Sequence, residues 1–164
     1  MTSPVIVWFR QDFRQADNAA LTAAVKTGAP IFCVHILDEA VKQDAARWWL
    51  GRALDLFDAD LRQAGGALHV FRGPAIRVLP ALVAATGARA VFWNRRYDHD
   101  GRETDTRLKA LLKEGGTSVQ SFPGALLHEP WTIRTRAGQP YHVFGAYWRA
   151  ACQAGHEWPP LPAP

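Results

Sequence analysis

Short apolar runs alternate with longer amphipathic segments as far as about residue 122. Apolar residues that recur every three to four positions predict helices, whereas short unbroken apolar runs predict strands buried on both faces. Repeated strand-helix-strand units are typical of a parallel sheet covered by helices. The apolar runs predict strands at Val5–Phe9, Ile31–Leu37, Leu68–Phe71, Ala90–Trp93 and Ser118–Phe122.

The segments between these strands carry helix boundaries. Asp17 or Asn18 is suited to cap the first helix, and glycines are suited to end each one. The predicted helices end at Gly28 and Gly65-Gly66, run from Pro74 to Gly87, and run from about Gly101 to Glu114. Right-handed crossovers through them predict a doubly wound, Rossmann-like five-stranded parallel sheet with strand order 3-2-1-4-5.

Beyond Phe122 the periodicity changes. The segment WTIRTRAGQPYHVF (131–144) alternates on either side of Ala137-Gly138 and predicts a hairpin, followed by a short helix over Ala146–Ala154. The proline-rich end, from about residue 156 to 164, has the composition of an extended linker and suggests a chain cut from something longer. We therefore expect an α/β domain over 1–125, a hairpin and helix over 126–155, and the start of a linker over 156–164.

Composition narrows the function classes. With 164 residues, of which 48% are hydrophobic, the chain can bury one core, and no apolar run approaches the roughly 20 residues of a membrane span. The start lacks the features of a signal peptide, so a cytoplasmic protein is expected. Cys33 and Cys152 show no metal-ligand spacing, and Cys33 is expected in the core. The net charge of +4 is spread along the chain and favours an ordinary solvated surface, with at most weak attraction to polyanions.

Candidate chemistry lies at two strand ends. In this fold, ligands bind beyond the carboxyl ends of the strands where the strand order reverses, here between the first and fourth strands. The loops there, RQDFRQADN after Phe9 and NRRYDHDGRETD after Trp93, are the most polar strand ends. Neither contains G-x-G-x-x-G, and the chain has no phosphate-binding P-loop and no nucleophile-elbow sequence. A tightly bound dinucleotide or triphosphate is not expected, and neither is hydrolase chemistry.

The same residues have two interpretations. The arginines at 10, 14, 95 and 96 can hold an acidic group of a ligand, and Tyr97 or Trp93 can lie against a flat ring. Alternatively, Arg10 and Arg14 pair with Asp12, Asp17 or Asp98 and tie the loops together, and the two roles are evenly balanced. Core positions are favoured for Trp93 and for the histidines at 35 and 69.

Four stretches, in order, resemble the DNA photolyase and cryptochrome family. They are WFRQDFRQADNAAL (8–21), RWWLGRALDLFDADLRQAGGALHVFRG (47–73), FWNRRYDHDGRETD (92–105) and LLHEPWTIRTRAGQPYHVFGAYWRA (126–150). The resemblance implies an N-terminal α/β antenna domain of a deoxyribodipyrimidine photolyase, a flavoprotein lyase that uses light to repair pyrimidine dimers in DNA. FAD, the catalytic residues and the DNA-binding surface would then lie in a C-terminal domain that this chain lacks, so the fragment alone is expected to be inactive.

The resemblance also implies where an antenna chromophore binds. The expected pocket residues are Phe9, Arg10, Leu37, Asp38, Arg47, Trp48, Asn94, Arg96, Tyr97 and Asp100. Folate-binding members typically carry Asn-Glu where this chain has Asp100-Gly101. Some deazaflavin-binding members have an arginine that Arg47 matches, but an acidic residue in place of Arg96. A folate, deazaflavin or FMN pigment, or an empty pocket, therefore remains open.

Partners and alternatives follow from the same resemblance. The expected partners are the FAD-binding domain of the parent protein and, through the parent, DNA. The aromatic residues from Trp131 to Trp148 are either core or a docking surface, and a docking surface left exposed would make the fragment self-associate. Two other functions remain possible: the same domain of a cryptochrome photoreceptor, and a freestanding Rossmann-like nucleotide-binding module.

Overall fold

The computed structural model describes residues 2–37, 44–155 and 159–164. Within them the strands are β1 (Val5–Phe9), β2 (Ile31–Leu37), β3 (Leu68–Arg72), β4 (Ala90–Asn94) and β5 (Ser118–Phe122). They pair in parallel in the order β3-β2-β1-β4-β5. The predicted strands, their order and the doubly wound α/β class are confirmed, and β3 and β4 each extend one residue further than predicted.

Helices begin and end close to the sequence signals. They are α1 (Ala19–Lys26), α2 (Asp44–Gln63), α3 (Ala75–Thr86), α4 (His99–Glu114) and α5 (Phe144–Ala154). Of the two candidate caps for α1, Asn18 has the role, since its side chain accepts a hydrogen bond from the Leu21 amide at 3.1 Å. Asp98 caps α4 by accepting from the Gly101 amide at 2.9 Å, which starts that helix two residues earlier than predicted.

The sheet is covered on both faces because successive β1 residues point in opposite directions. Val5, Val7 and Phe9 pack with buried residues of α1 and α2, including Phe57. Ile6 and Trp8 pack in a second cluster with buried residues of α3 and α4. Burial on both faces explains why β1 and β4 read as unbroken apolar runs.

The described chain divides into two compact units. The first contains residues up to Gly124 together with Leu161–Pro164, and the second lies within Ala125–Pro160. The predicted division of the chain into an α/β domain, a closing segment and a linker, with boundaries at residues 125 and 155, remains a prediction. Residues 156–158 of the predicted linker lie outside the described residues, and residues 159–164 form no helix or strand.

The predicted hairpin in the second unit is wrong. Residues 131–143 contain turns and bends but no strand, although a tight turn forms where the glycine signal placed it. The Thr135 amide donates to the Gln139 carbonyl at 2.9 Å, and Gly138 adopts a φ of 74°. Pro140 immediately follows this turn and has no amide hydrogen for a strand ladder. The helix predicted after it is confirmed as α5.

Candidate functional site

The switch point lies where the sequence predicted it. β1 pairs with β2 on one side and with β4 on the other, so the connections leave β1 in opposite directions. The loops that follow Phe9 and Asn94 therefore start from neighbouring strands at the carboxyl edge of the sheet. Their polar side chains are the first candidates for a site.

Arg10 is buried at this edge and is held by a carboxylate that sequence reasoning missed. Its guanidinium donates to the two Asp105 carboxylate oxygens at 2.7 and 3.3 Å, and also to the Asn94 carbonyl. Asp105 also accepts from the Trp93 indole nitrogen at 2.9 Å, and the Arg10 guanidinium lies 4.5 Å from the centre of the Trp8 ring. The partner of Arg10 is thus Asp105 on α4, and not the aspartates that the sequence suggested for its side chain.

Asn94 joins the β4 end to the β1 loop. Its side-chain amide nitrogen donates to Asp12 at 2.6 Å and to Asn18 at 2.9 Å, while its oxygen accepts from the Ala20 amide at 3.1 Å. Asp12 in turn accepts from the Arg10 amide at 2.8 Å. We call Arg10, Asp12, Asn18, Asn94 and Asp105 the switch-point network.

The switch-point network makes the charge after β1 largely structural. Phe9, Arg10 and Asn94, all predicted to line the pocket, are buried beneath the edge, and Phe9 packs against Phe57 with ring centres 4.8 Å apart. Buried polar groups are costly unless they are hydrogen-bonded, and these groups bond to one another, with Arg10 Nε left without a partner among the described residues. Trp93 is buried as predicted, in the core beside the network.

Arg14 ties the β1 loop to the chain that follows β5. Its guanidinium donates to the Asp17 carbonyl and to the Gly124 carbonyl, each at 2.8 Å. The predicted pairing with Asp17 is present, with a longer charge contact of 3.7 Å. Gly124 also packs closely on the network, since a Cβ there would lie 2.8 Å from the Asn94 Cβ.

The loop from Arg96 to Gly101 forms the second part of the edge. Arg96 donates to both Asp98 oxygens at 2.9 and 2.8 Å. The Arg96 guanidinium and the Gly101 amide hold the pKa of Asp98 below its usual value, despite partial desolvation. Gly101 lies beneath Arg96, and a Cβ there would be only 2.5 Å from the Arg96 Cβ. Tyr97 is half-buried, whereas Asp100 is exposed beside His99.

The start of α2 forms the third part and presents large exposed side chains. Trp48 is 65% exposed and Trp49 is 71% exposed, with ring centres 6.4 Å apart. Arg47 precedes them and is also exposed. We call Trp48 and Trp49 the α2 aromatic pair. Sequence reasoning selected Trp48 and omitted Trp49, although both belong to the same run.

The end of β2, between β1 and β3 in the sheet, is also part of this edge. Leu37 is half-buried, and its carbonyl accepts from the Gly73 amide at 3.2 Å; Asp38 lies outside the described residues. His35 is buried and donates from Nδ1 to the Phe9 carbonyl at 2.9 Å. Burial lowers the pKa of His35, although this hydrogen bond and the charge of Asp12 oppose the shift. His35 is a core histidine as predicted, whereas His69 is exposed on β3 and its predicted core position is wrong.

The second unit has a separate concave surface. A groove of about 490 Å³ is lined by residues 125–130, Ile133 and Tyr147. Large apolar side chains of this unit are also exposed, and Phe144 and Trp148 stack with ring centres 6.2 Å apart. Such exposure is unusual unless the surface meets a partner.

The described residues offer neither a metal centre nor a membrane span. No group of three or more histidine, cysteine, aspartate or glutamate side chains there is arranged to hold a metal ion. No helix among them has the length and apolar composition needed to cross a bilayer.

The parallel sheet, the helices on both faces and the polar residues at the switch point define a Rossmann-like α/β domain. The family model for DNA photolyase matches residues 5–164. The chain therefore belongs to the DNA photolyase family and corresponds to its N-terminal domain. The family is known for binding chromophores.

Relatives of this chain include proteins named as photolyases and proteins named as cryptochromes. A deoxyribodipyrimidine photo-lyase of Agrobacterium fabrum is 45% identical over 99% of this chain, and Cryptochrome-1 of Arabidopsis thaliana is 36% identical over 87% of it. The chain spans 34% of the first and 22% of the second.

Solved structures agree with this assignment. A bacterial class III photolyase from Agrobacterium tumefaciens superposes with a TM-score of 0.94 at 43% identity, covering 100% of this chain and 34% of that one. A Sulfolobus tokodaii photolyase, solved with two FAD molecules and described as implying a novel light-harvesting cofactor, has a TM-score of 0.84 at 22% identity. The match covers 97% of this chain and 36% of the Sulfolobus tokodaii chain, and at 22% identity it shows similarity of the fold alone.

Proposed function

We propose that this chain is the light-harvesting domain of a deoxyribodipyrimidine photolyase. It binds an antenna chromophore and passes excitation energy to FAD in the rest of the parent protein, which repairs pyrimidine dimers in DNA. The observation that carries this proposal is the 45% identity, over 99% of the chain, to a deoxyribodipyrimidine photo-lyase. Since the chain spans about a third of that relative, we place the repair chemistry outside it.

The pigment is expected on the exposed part of the carboxyl edge. The switch-point network is largely buried and internally hydrogen-bonded, whereas Trp48 is 65% exposed and carries an aromatic ring on which a flat chromophore can lie. Arg47 is suited to an acidic group of the pigment. Tyr97, from the loop after β4, and Asp100, in the first turn of α4, would form the rim on that side.

Local geometry limits the class of pigment. The resemblance to folate-binding members would put a glutamate at position 101, where this chain has glycine. A Cβ there would lie 2.5 Å from the Arg96 Cβ and 2.9 Å from Asp98 Oδ2, so the backbone between Arg96 and Gly101 leaves no room for that glutamate. A folate held by a glutamate at this position does not fit. Folate held from α2, deazaflavin and FMN are the pigments to test.

The exposed apolar surface of the second unit supports contact between this unit and the rest of the parent protein. We assign the stacked Phe144 and Trp148 to contact with the C-terminal FAD-binding domain, because two thirds of the relatives' length lies outside this chain. Sedimentation of the isolated chain should show weak self-association that Trp148→Ser abolishes. A chain that stays monomeric at all concentrations would contradict the assignment of this apolar surface as a contact surface.

An action spectrum of repair tests the light-harvesting role. The full-length parent should repair pyrimidine dimers at wavelengths absorbed by the antenna as well as by FAD. Trp48→Ala should remove the antenna contribution and leave FAD-driven repair unchanged, whereas Leu56→Ala, an exposed apolar control on the same helix, should change neither. Equal spectra for the native and Trp48→Ala proteins would overturn the assignment.

A cryptochrome photoreceptor is the second candidate, supported by 36% identity to Cryptochrome-1 of Arabidopsis thaliana. The same assay separates the two functions, since a photoreceptor would absorb and transfer energy without repairing dimers. An antenna contribution to flavin reduction, without repair, would move the assignment to that class.

A further inference from the structure

The proline-rich end of the chain is fastened to the loop after β1. The Asp17 amide donates to the Leu161 carbonyl at 2.7 Å, and the Leu161 amide donates to Asp17 Oδ1 at 3.5 Å. Leu161 is half-buried, whereas Pro159, Pro160 and residues 162–164 are exposed. Leu161 is therefore the point at which this segment is attached.

The composition of residues 159–164 prepares the segment for such a contact. Four of these six residues are prolines, which have a fixed φ and no amide hydrogen, so within the segment only Leu161 and Ala163 can donate from the backbone. Leu161 precedes a proline, which restricts it to extended conformations. An extended residue can exchange both its amide and its carbonyl with one partner, as in a strand pair. Leu161 thus offers both groups with little further loss of conformational freedom.

Asp17 has the complementary arrangement of groups. Among the described residues, it is the one non-glycine residue with a positive φ, at 50°, a conformation that aspartate tolerates better than most residues do. Its carbonyl is occupied by Arg14, whose Nε and Nη2 donate to it at 3.1 and 2.8 Å. The Asp17 carboxylate therefore supplies the acceptor for Leu161, and the Asp17 backbone amide supplies the donor.

We propose that Arg14 and Asp17 form a recognition site for an extended, proline-flanked residue, and that Leu161 occupies this site within the same chain. Arg14 Nη2 also donates to the Gly124 carbonyl at 2.8 Å. The chain leaves the first unit after Gly124 and returns to it at Leu161. The two residues of the site therefore hold both ends of the segment 125–160.

Amide hydrogen exchange measured by NMR tests the bound state on the 164-residue chain. The Leu161 amide should exchange about threefold or more slower than the leucine amide of the free peptide PPLPAP, because an occupied site shields it. Asp17→Gly keeps the amide and tolerates the positive φ but removes Oδ1, so it should speed exchange at Leu161. Asp17→Asn keeps an Oδ1 acceptor and should resemble the native chain. Exchange of the native Leu161 amide at the rate of the free peptide, or equal rates in the two variants, would overturn the proposal.

A second set of variants tests recognition of the proline-flanked conformation. Replacing both Pro160 and Pro162 with glycine frees the backbone on each side of Leu161 and should speed exchange of the Asp17 amide about fourfold or more, since each proline restricts the unbound segment. Pro164→Gly is the matched control, because that exposed proline is not adjacent to Leu161. An Asp17 amide that exchanges equally in the double variant and the control would contradict recognition of an extended segment.

Discussion

Two groups of side chains at the carboxyl edge of the sheet differ in their exposure to solvent. The switch-point network is buried except for the half-buried Asp12, and its charges and amides bond to one another. The α2 aromatic pair is exposed, so burial in the core does not explain the presence of two tryptophans at these positions. The difference teaches that charge at a strand end can serve the fold, while exposed aromatic rings are the better pointers to a ligand.

The largest expected effect comes from breaking the buried ion pair. Asp105→Ala leaves the Arg10 guanidinium buried without its carboxylate and should lower the free energy of unfolding by about 3–5 kcal/mol. Glu103→Ala removes an exposed, longer pair with Arg107 at 3.8 Å and should cost less than about 0.5 kcal/mol. Urea denaturation measures the free energy of unfolding of each variant. Similar losses in the two variants would show that the buried ion pair contributes no more to stability than the exposed one.

Crowding the network should have the next largest effect. Gly124→Ala puts a methyl group 2.8 Å from the Asn94 Cβ and Cγ and should cost about 1–3 kcal/mol. Gly51→Ala is the matched control, because open space surrounds that helical position and alanine there should stabilise α2 by about 0.5–1 kcal/mol. Thermal or urea unfolding shows whether each variant is more or less stable than the native chain. A Gly124→Ala variant that is more stable would contradict the close packing of Gly124 against Asn94.

The buried histidine beneath the edge should make stability depend on pH. Because burial lowers the pKa of His35 from about 6.5, the unfolded chain binds a proton that the folded chain resists. His35 therefore costs no stability above pH 6.5, and stability is lost as pH falls from there towards the folded-state pKa, by at most about 1.4 kcal/mol per pH unit.

Replacing this histidine isolates its contribution. Urea unfolding of the native chain and of His35→Phe should give curves that run parallel above pH 6.5 and diverge below it, with the native chain losing more stability. Curves that stay parallel down to pH 5 would contradict a depressed His35 pKa.

The smallest effect contrasts the two thiols and leaves stability unchanged. Burial raises the pKa of the Cys33 thiol to about 11, whereas Cys152 is exposed on α5. A thiol reagent at pH 8 should modify Cys152 quickly and Cys33 only after denaturation. Cys152→Ser should remove the fast reaction, and rapid labelling that persists in this variant would show that Cys33 is accessible.

Much of the fold was predictable because burial on both faces leaves a direct signal. Val5–Phe9 and Ala90–Asn94 are buried along their whole length, and their apolar runs have no other stable location. The hairpin failed because the alternation of residues 131–144 satisfied the pattern of a strand without a neighbouring sheet to bury it. Its exposed Trp131 and Val143 show that no such burial occurs.

The site was harder to predict because the sequence does not say which charges pair. Arg10 was predicted either to line a pocket or to pair with Asp12, Asp17 or Asp98, and its side chain pairs instead with Asp105. Asp105 was missed, although it shares one face of α4 with Gly101 and Leu108. An acidic residue on the buried face of a helix requires a partner, and that signal was readable. The exposure of Trp48 and Trp49 was not readable, because two tryptophans in a helix predict a core equally well.

Pigment binding to the isolated chain tests the central claim most directly. The purified chain would be titrated with methenyltetrahydrofolate, FMN and deazaflavin, with absorption above the tryptophan band and tryptophan quenching as readouts. One pigment should bind, Trp48→Ala should weaken it about tenfold or more, the loss expected when a base-sized ring no longer stacks, and Leu56→Ala should bind like the native chain. A chain that binds none of the three, or binds one equally well without the Trp48 ring, would contradict a light-harvesting site at the α2 aromatic pair.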